Sequence, residues 1–399
     1  MKILDIRDKC TGCGACVSVC PKDCLQLLPD EDGFYYPQYQ ADNCISCNLC
    51  DKVCHIISPL NSKEHSEDNY YMYMSHDDSV RESSSSGGAF TVLADFVLKR
   101  GGIVFGSWYN AEKERLEFTS SDDTPLALIK KSKYVESFIN NIYPMVLFNL
   151  KQGRDVLFCG TPCQINGLIR FLSIRKADCK KLITVDFLCH GVPTNKHLTE
   201  FKRSFERKGL KVINIDFRYK DFSFNGHGWR NMPMCMYFSN GSRKIIRQKS
   251  AYYYLYYQSF MDDYNLRFNC YRCQYPEHSS ADITLADFWG VKKYKSDVDN
   301  NRGISIVKFN TERGLLMLSM FEICGTMEIL PYDAVKYAYV LKKDREKYLP
   351  KRNAFMAVGR KRGYLKAAKK VFGKDILYES TIGSLKTIIK QILKRKQSS

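Results

Sequence analysis

The run Cys10-Thr11-Gly12-Cys13-Gly14-Ala15-Cys16-Val17-Ser18-Val19-Cys20-Pro21 decides the N-terminal fold, and Cys44-Ile45-Ser46-Cys47-Asn48-Leu49-Cys50-Asp51-Lys52-Val53-Cys54-His55 repeats it. Each copy reads Cys-x2-Cys-x2-Cys-x3-Cys. Three thiolates at that spacing wrap three corners of a cubane on a turning loop, while the fourth, one helical turn on, points to the other cluster. The spacing therefore assigns Cys10, Cys13, Cys16 and Cys54 to one 4Fe-4S cluster, and Cys44, Cys47, Cys50 and Cys20 to a second. A zinc site would need four ligands in two pairs, and a disulfide framework would need an exported chain. Cys24 stands outside both runs and reads as a small buried residue. His55 replaces the proline that usually follows the last cysteine, which bears on loop stiffness and not on ligation.

Residues 1–60 resemble a bacterial two-cluster ferredoxin, with short strands around Gly33-Phe34-Tyr35-Tyr36 between the cysteine runs. At 399 residues the chain has length for two or three domains. No signal-peptide layout precedes Cys10 and no window has the apolar length of a membrane span, so a cytoplasmic setting with reduced thiols is expected. The net charge of +18 is concentrated at one end, since residues 342–399 hold 18 basic against 4 acidic side chains. A near-neutral body argues against nucleic acid as a partner.

Residues 61–69 read as a polar linker. Beyond it, the strand Tyr70 to Ser75 leads to Ser83-Ser84-Ser85-Ser86-Gly87-Gly88 and a helix from Ala89 to Arg100, closed by Gly101-Gly102 before the strand Ile103 to Gly106. Backbone N–H groups at such a helix start suit a phosphate; a plain Ser cap on a connector is the alternative. The form recurs at Val156-Leu157-Phe158-Cys159-Gly160-Thr161-Pro162-Cys163-Gln164, leading into a helix up to Leu172, with Pro162 at the first helical position and Cys163 expected at the end of the strand. The strand Ile183 to Leu188 ends in Cys189-His190-Gly191. Strand ends with Cys, Gly and His are where an α/β sheet places ligands. Then come Cys270-x2-Cys273 and Ala281-Asp282-Ile283-Thr284, with Trp289-Gly290 beyond. Cys179, Cys235 and Cys324 stand alone and read as structural.

In this order the pieces Ser85-Ser86-Gly87-Gly88, Lys133-Tyr134, Gly160 to Gln164, Cys189-His190-Gly191, Cys270-x2-Cys273 and Ala281 to Thr284 with Gly290 resemble the beta subunit of coenzyme F-420 (deazaflavin) hydrogenases and dehydrogenases. The resemblance spans about 70–340. It implies an α/β (α+β) catalytic domain, with parts at about 70–150 and 151–340, behind the ferredoxin unit and ahead of a basic helical tail at 341–399. It also implies FAD and a third 4Fe-4S cluster held by Cys163, Cys189, Cys270 and Cys273, with Cys159 competing for the place of Cys163. FAD would rest on Ser86, Gly87, Gly88, Lys133, Tyr134, Gly160, Thr161 and Gln164, its pyrophosphate on backbone N–H groups. Lys133 and His190 are the catalytic candidates, against a solvated lysine and a histidine that merely supports the cluster. Bacterial relatives with a fused ferredoxin unit lie in part among genes for surface polysaccharides.

The expected activity is an oxidoreductase that takes single electrons from a redox partner protein or small donor and passes a hydride to a small acceptor. The alternatives are an electron-transfer subunit without its own substrate and an accessory factor of polysaccharide biosynthesis. Arg218 to Trp229 reads as a substrate-facing loop, and Tyr252 to Tyr257 as a buried aromatic helix. Ile382, Leu385, Ile388, Ile389, Ile392 and Leu393 with interleaved lysines form a basic amphipathic helix for an anionic membrane surface, a partner, or the protein's own body.

Overall fold

A computed structural model of the chain describes residues 2–59, 69–139, 141–222, 228–231, 233–275, 280–335 and 344–397, with side chains up to 381. The linker expected at 61–69 and the apolar positions 382–393 fall almost wholly outside what is described. The centre is a nine-stranded mixed sheet. In chain order, β1 (Leu25–Pro29) and β2 (Tyr35–Tyr39) form a separate hairpin, and the sheet proper takes β3 (Tyr70–Ser75), β4 (Ile103–Asn110), β5 (Arg115–Ser120), β6 (Ser137–Phe138), β7 (Val156–Cys159) and β8 (Leu182–Phe187). A small antiparallel sheet holds β9 (Val212–Asp216), β10 (Met234–Phe238) and β11 (Arg243–Ile246), and the large one is completed by β12 (Ile283–Asp287), β13 (Ser305–Phe309) and β14 (Gly325–Ile329). The large-sheet order is β14-β3-β13-β12-β8-β7-β4-β5-β6. Its middle strands β12, β8, β7 and β4 run parallel, so their carboxyl ends open on one edge, where such sheets put their ligands.

The apolar runs of these strands have period two, and the two sets serve opposite faces. Val104, Leu157, Val185, Ile283 and Val307 pack under α4 (Ala89–Lys99), with Met320 and Phe321. Ile103, Phe105, Val156, Phe158 and Leu182 face the other way, toward α6 (Ile142–Lys151) and α7 (Pro162–Ile174). On this second face the ferredoxin segment joins the same core: Ile3, Ala15, Val19, Leu25 and Leu27 are buried with Ile165, Leu168 and Phe171. Each of these Ile, Val, Leu and Phe side chains contributes about 1.5–3 kcal/mol on burial. The boundary at residue 60 is thus one of sequence and not of packing.

The remaining helices close the far side. The Tyr252 to Tyr257 stretch is helical, with a wide-turn segment at Tyr254–Gln258, and Tyr253, Tyr256 and Tyr257 are buried, whereas Tyr252 is exposed. The helix Leu349–Arg362 and the one beginning at Tyr364 bury Phe355, Met356, Tyr364, Ala367 and Phe372 against Phe34, Tyr36 and Leu198. Much of the expected tail is therefore body. Asp32 in the ferredoxin hairpin accepts hydrogen bonds from Arg360 Nη1 at 2.8 Å and Tyr364 Oη at 3.0 Å, which ties the two ends of the chain together.

Candidate functional site

Two thiol sets follow from the repeated runs. Cys10, Cys13, Cys16 and Cys54 line one cavity with Ile3, Ile6, Leu27 and Ile56. Cys20, Cys44, Cys47 and Cys50 line a second, beside Leu4, Tyr39 and Ile45. Local backbone explains the crossing: α1 (Ala15–Val19) carries Cys16 and ends on Cys20, and α2 (Leu49–Val53) carries Cys50 and ends on Cys54. The turns between cysteines need left-handed residues, with Gly12 at φ 70° and Gly14 at φ 74° in the first run, and Ser46 at 55° and Asn48 at 57° in the second. The first run needs glycine because its site is crowded; a Cβ on Gly14 would stand 2.1 Å from Ile139 Cγ2. The second lies open to solvent, so Ser and Asn carry the same strain without collision.

The two sets differ electrostatically. Burial pushes the thiols of Cys16 and Cys54 up, and Cys13, Cys10 and Cys54 add mutual repulsion at Cys16. At the open set, the Tyr39 hydroxyl and the Ser46 backbone pull Cys44 down, the Ser46 N–H lying 3.4 Å from Cys44 Sγ. The Cys24 N–H donates to Cys20 Sγ at 3.3 Å. Cys24 itself is buried, as expected, yet it faces Cys20 and Cys44.

The dispersed cysteines form a third set. Cys163 lies in the first turn of α7, Cys189 just beyond β8, and Cys270 in the turn Phe268–Arg272 that Cys273 caps. Burial, followed by repulsion from Cys270, Cys163 and Cys273, drives the Cys189 thiol far up, and burial with Cys273 and Cys270 near it pushes Cys163 to about 12. Cys163, Cys189 and Cys270 are partly buried and Cys273 is exposed; thiols that repel one another in this way call for positive charge among them before they can ionise. Cys159 faces Asp186 and Lys133 instead, so the geometry brings Cys163 and not Cys159 to the other three.

The first and third sets are neighbours. The Cys13 thiol feels Cys163, and burial with Cys163, Cys13, Cys273 and Cys54 around it drives the Tyr275 hydroxyl far up. Tyr275 therefore stands between them, its hydroxyl on His55 Nδ1, and His55 Nε2 reaches Thr11 Oγ1 at 3.2 Å. His55 is a buried part of this bridge. Neither Tyr275 nor Arg267, which contacts both regions, belongs to a motif, and only their closeness in sequence to Cys270 and Cys273 was a signal.

The expected flavin residues divide. At Gly160–Gln164 these donors are already spent, on β8 and within the loop: Gly160 N–H on Val185 O at 3.1 Å, Thr161 N–H on Gln164 Oε1 at 2.9 Å, and Gln164 N–H on Thr161 O at 2.9 Å. That donor set does not fit a pyrophosphate. Gly87 N–H likewise donates to Ser305 Oγ at 2.9 Å, and Ser86 Oγ to Ile304 O at 2.7 Å. The Ser/Gly loop does adjoin the Lys130–Tyr134 segment, with Ser132 N–H on Ser85 Oγ at 2.8 Å and Lys130 Nζ on Ser83 Oγ at 2.8 Å. Lys133 is neither solvated nor free: its Nζ donates to the Ile129, Lys130 and Lys131 carbonyls at 2.7, 2.8 and 3.1 Å, and burial pulls it down to about 7.

His190 Nε2 lies 2.9 Å from Asp263 Oδ1. Burial opposes that carboxylate, but His190 and Arg345 overcome it and hold Asp263 well below the usual range. His190 and Tyr134 both pack on Phe260, at centroid distances of 4.9 and 5.2 Å, which brings these two candidates to one aromatic wall. Of the stretch Arg218 to Trp229, 223–227 lie outside the described residues. Its ends close β12, with Arg218 on Asp287 and Trp229 stacked on Trp289 at 4.8 Å. Asp282 braces the head of β12 by accepting from Thr184, Thr311 and Arg313.

Sheet and thiol sets define an iron–sulfur electron-transfer protein. Residues 153–335 match the family described as the C terminus of the coenzyme F420 hydrogenase/dehydrogenase beta subunit, and residues 9–56 match the 4Fe-4S dicluster domain. An uncharacterized ferredoxin of Methanocaldococcus jannaschii is 43% identical over 54 residues, 14% of this chain and 69% of its own. One component of the H2:CoB-CoM heterodisulfide, ferredoxin reductase of Methanothermobacter thermautotrophicus is 40% identical over 61 residues, 12% of this chain and only 9% of its own. A solved F420-reducing NiFe hydrogenase complex from Methanosarcina barkeri aligns over 73% of this chain and 96% of that one, with a TM-score of 0.44 and 16% identity. Among the described residues no helix is long and apolar enough to cross a membrane.

Proposed function

We propose that the chain relays single electrons inward through three thiol sets, from Cys20, Cys44, Cys47 and Cys50, through Cys10, Cys13, Cys16 and Cys54, to Cys163, Cys189, Cys270 and Cys273. The observation that carries the order is the bridge from the Tyr275 hydroxyl through His55 to Thr11, which joins the second and third of these. Cys47 of the first set and Cys273 of the third are both exposed, and the apolar rim around Cys47 favours entry at the first. A 4Fe-4S cluster at each set handles one electron, and a bound FAD stores two for delivery as a hydride. The residues that favour FAD are the Ser83–Gly88 loop joined to Lys130–Tyr134, with Tyr134 and His190 on the wall of Phe260 beyond the third set. The donors at Gly160–Gln164 are used, as are Gly87 N–H and Ser86 Oγ, so neither loop is assigned the pyrophosphate, and Ser83–Gly88 is kept only for its place beside Lys130–Tyr134. In this reading Lys133 shapes the loop by capping three carbonyls, and His190, oriented by Asp263, holds or gives a proton at Nδ1.

Electron entry by a protein donor is favoured by the apolar collar at the surface set: Ile45 is 59% exposed, Leu4 41% and Tyr39 36%. Anaerobic purification with iron, sulfide and flavin counted per chain tests the whole reading. About twelve irons with one flavin support it, about eight irons remove the third set, and no flavin leaves an electron-transfer subunit without hydride chemistry.

A further inference from the structure

The ferredoxin segment and the main body meet at a buried guanidinium that belongs to neither cysteine motif. Arg267 is 1% exposed. Its backbone serves the third thiol set: its N–H donates to Val192 O at 2.9 Å, and its carbonyl accepts from Cys270 N–H at 3.0 Å. Its side chain serves the first set, with Nε donating to Cys10 O at 2.8 Å and Nη2 to Tyr35 O at 2.8 Å. Nη2 also lies 3.8 Å from Cys10 Sγ, and Nη1 pairs with buried Glu136. The guanidinium sits 4.1 Å from the ring centroid of Tyr36. Gly12 leaves it room, since a Cβ there would stand 2.8 Å from Nη1.

We propose that Arg267 is a positioning residue that raises the reduction potential of the cluster held by Cys10, Cys13, Cys16 and Cys54, and that Glu136 limits the rise. The proposal rests on the relay reading. Taking one electron from an external one-electron donor adds one negative charge to this set and releases no proton. A cation aimed at a ligand sulfur stabilises that added charge, and hydrogen bonds to sulfur and local net charge set cluster potentials. Burial strengthens the effect, because neither salt nor water screens the pair. Glu136 supplies the opposing charge on the same guanidinium. The pair thus trims the driving force of the step from the Cys10 set to the Cys163 set.

The test is anaerobic potentiometric titration of the full, cluster-loaded chain with paramagnetic resonance detection, at about pH 8, above the point to which burial pushes the Glu136 carboxyl, about 7. Arg267→Gln is expected to lower the midpoint of the Cys10-set centre most, shifting its reduced-to-oxidised ratio at a fixed potential about tenfold, which is about 59 mV for a one-electron couple. A smaller shift of the same sign is expected at the Cys163 set, whose Cys163 and Cys270 thiols feel the same guanidinium. Glu136→Gln is expected to move the Cys10-set centre the other way, and Arg267→Lys to hold it within about threefold. A merely structural clamp would not give shifts of opposite sign. Unmoved midpoints with full iron, shifts of the same sign in Arg267→Gln and Glu136→Gln, or loss of iron from this site in all three variants would each overturn the proposal. The iron count of the parent chain judges the three-set relay separately, because a count of eight removes the Cys163 set and leaves the Cys10 midpoint measurable.

Discussion

Gly167, one turn into α7, leaves the space in which Cys13 sits: a Cβ at 167 would stand 3.0 Å from Cys13 Sγ and 3.0 Å from Tyr143 Oη. The main body thus shapes the ferredoxin site from outside. Gly167→Val is expected to displace Cys13 and cost about four irons per chain, leaving the other sets loaded. Iron analysis with resonance spectra checks it. A fully loaded variant would mean that α7 yields, and that the two segments are less tightly joined than the shared core implies.

A second outcome concerns the Ala281-Asp282-Ile283-Thr284 stretch. Asp282 is 1% exposed and accepts from Thr184 N at 2.8 Å, Thr184 Oγ1 at 2.8 Å, Thr311 Oγ1 at 2.7 Å and Arg313 Nη2 at 2.9 Å. Removing a carboxylate so placed strands several donors in the core. Asp282→Ala is expected to lose about 3–5 kcal/mol in urea unfolding, with iron retained in the fraction that folds. A loss below about 1 kcal/mol would show that Arg313 and the threonines find other partners.

These two cases mark what the sequence could and could not express. Cysteine spacing, strand period and turn residues are local, so β3 was legible to the residue, whereas β7 was legible as a strand entering a loop and helix but stops at Cys159, short of the Cys163 at which it was expected to end. Which loop donors are already spent depends on partners distant in sequence, such as Ser305 for Gly87. For the same reason a phosphate loop was expected at Gly160–Gln164, where an internal cap stands instead. From sequence, Lys133 stands between a flavin contact and a solvated lysine, and only its bonds to three carbonyls of its own turn exclude the second. The tail likewise looked detached because basic residues dominate its composition, although Phe355, Tyr364 and Phe372 carry its packing.

Acid sensitivity follows from His197, fully buried with Nε2 on Leu255 O at 2.8 Å and Nδ1 facing Asn265 Nδ2 at 2.9 Å. Burial pulls its pKa down to about 4. An unfolded histidine takes its proton near 6.5, so the unfolded state binds more protons between these values. The contribution is whole above about pH 6.5 and is lost as pH falls toward about 4, a total of about 3 kcal/mol. In anaerobic urea unfolding, the stability gap between the parent and His197→Gln should narrow from pH 7.5 to pH 4.5. A constant gap would contradict the neutral, buried ring, and using the difference removes cluster loss common to both proteins.

The last expectation concerns where electrons enter. Ile45 lies between Cys44 and Ser46, 59% exposed, and with Leu4 and Tyr39 it rims the thiol set whose Cys47 reaches the surface. A protein donor that docks here covers this rim, and a charge placed in its middle must be desolvated on docking. A small reductant meets no such rim and reaches the set directly. Ile45→Asp is therefore expected to slow reduction by a reduced ferredoxin about tenfold while leaving reduction by dithionite within about twofold, because about 1.4 kcal/mol at the encounter is a factor of ten. Stopped-flow bleaching of the cluster absorbance with each donor in turn separates the two. Equal slowing with both would place the fault in the site itself, and no slowing with either would move electron entry away from the Cys47 surface and reverse the proposed order of the relay.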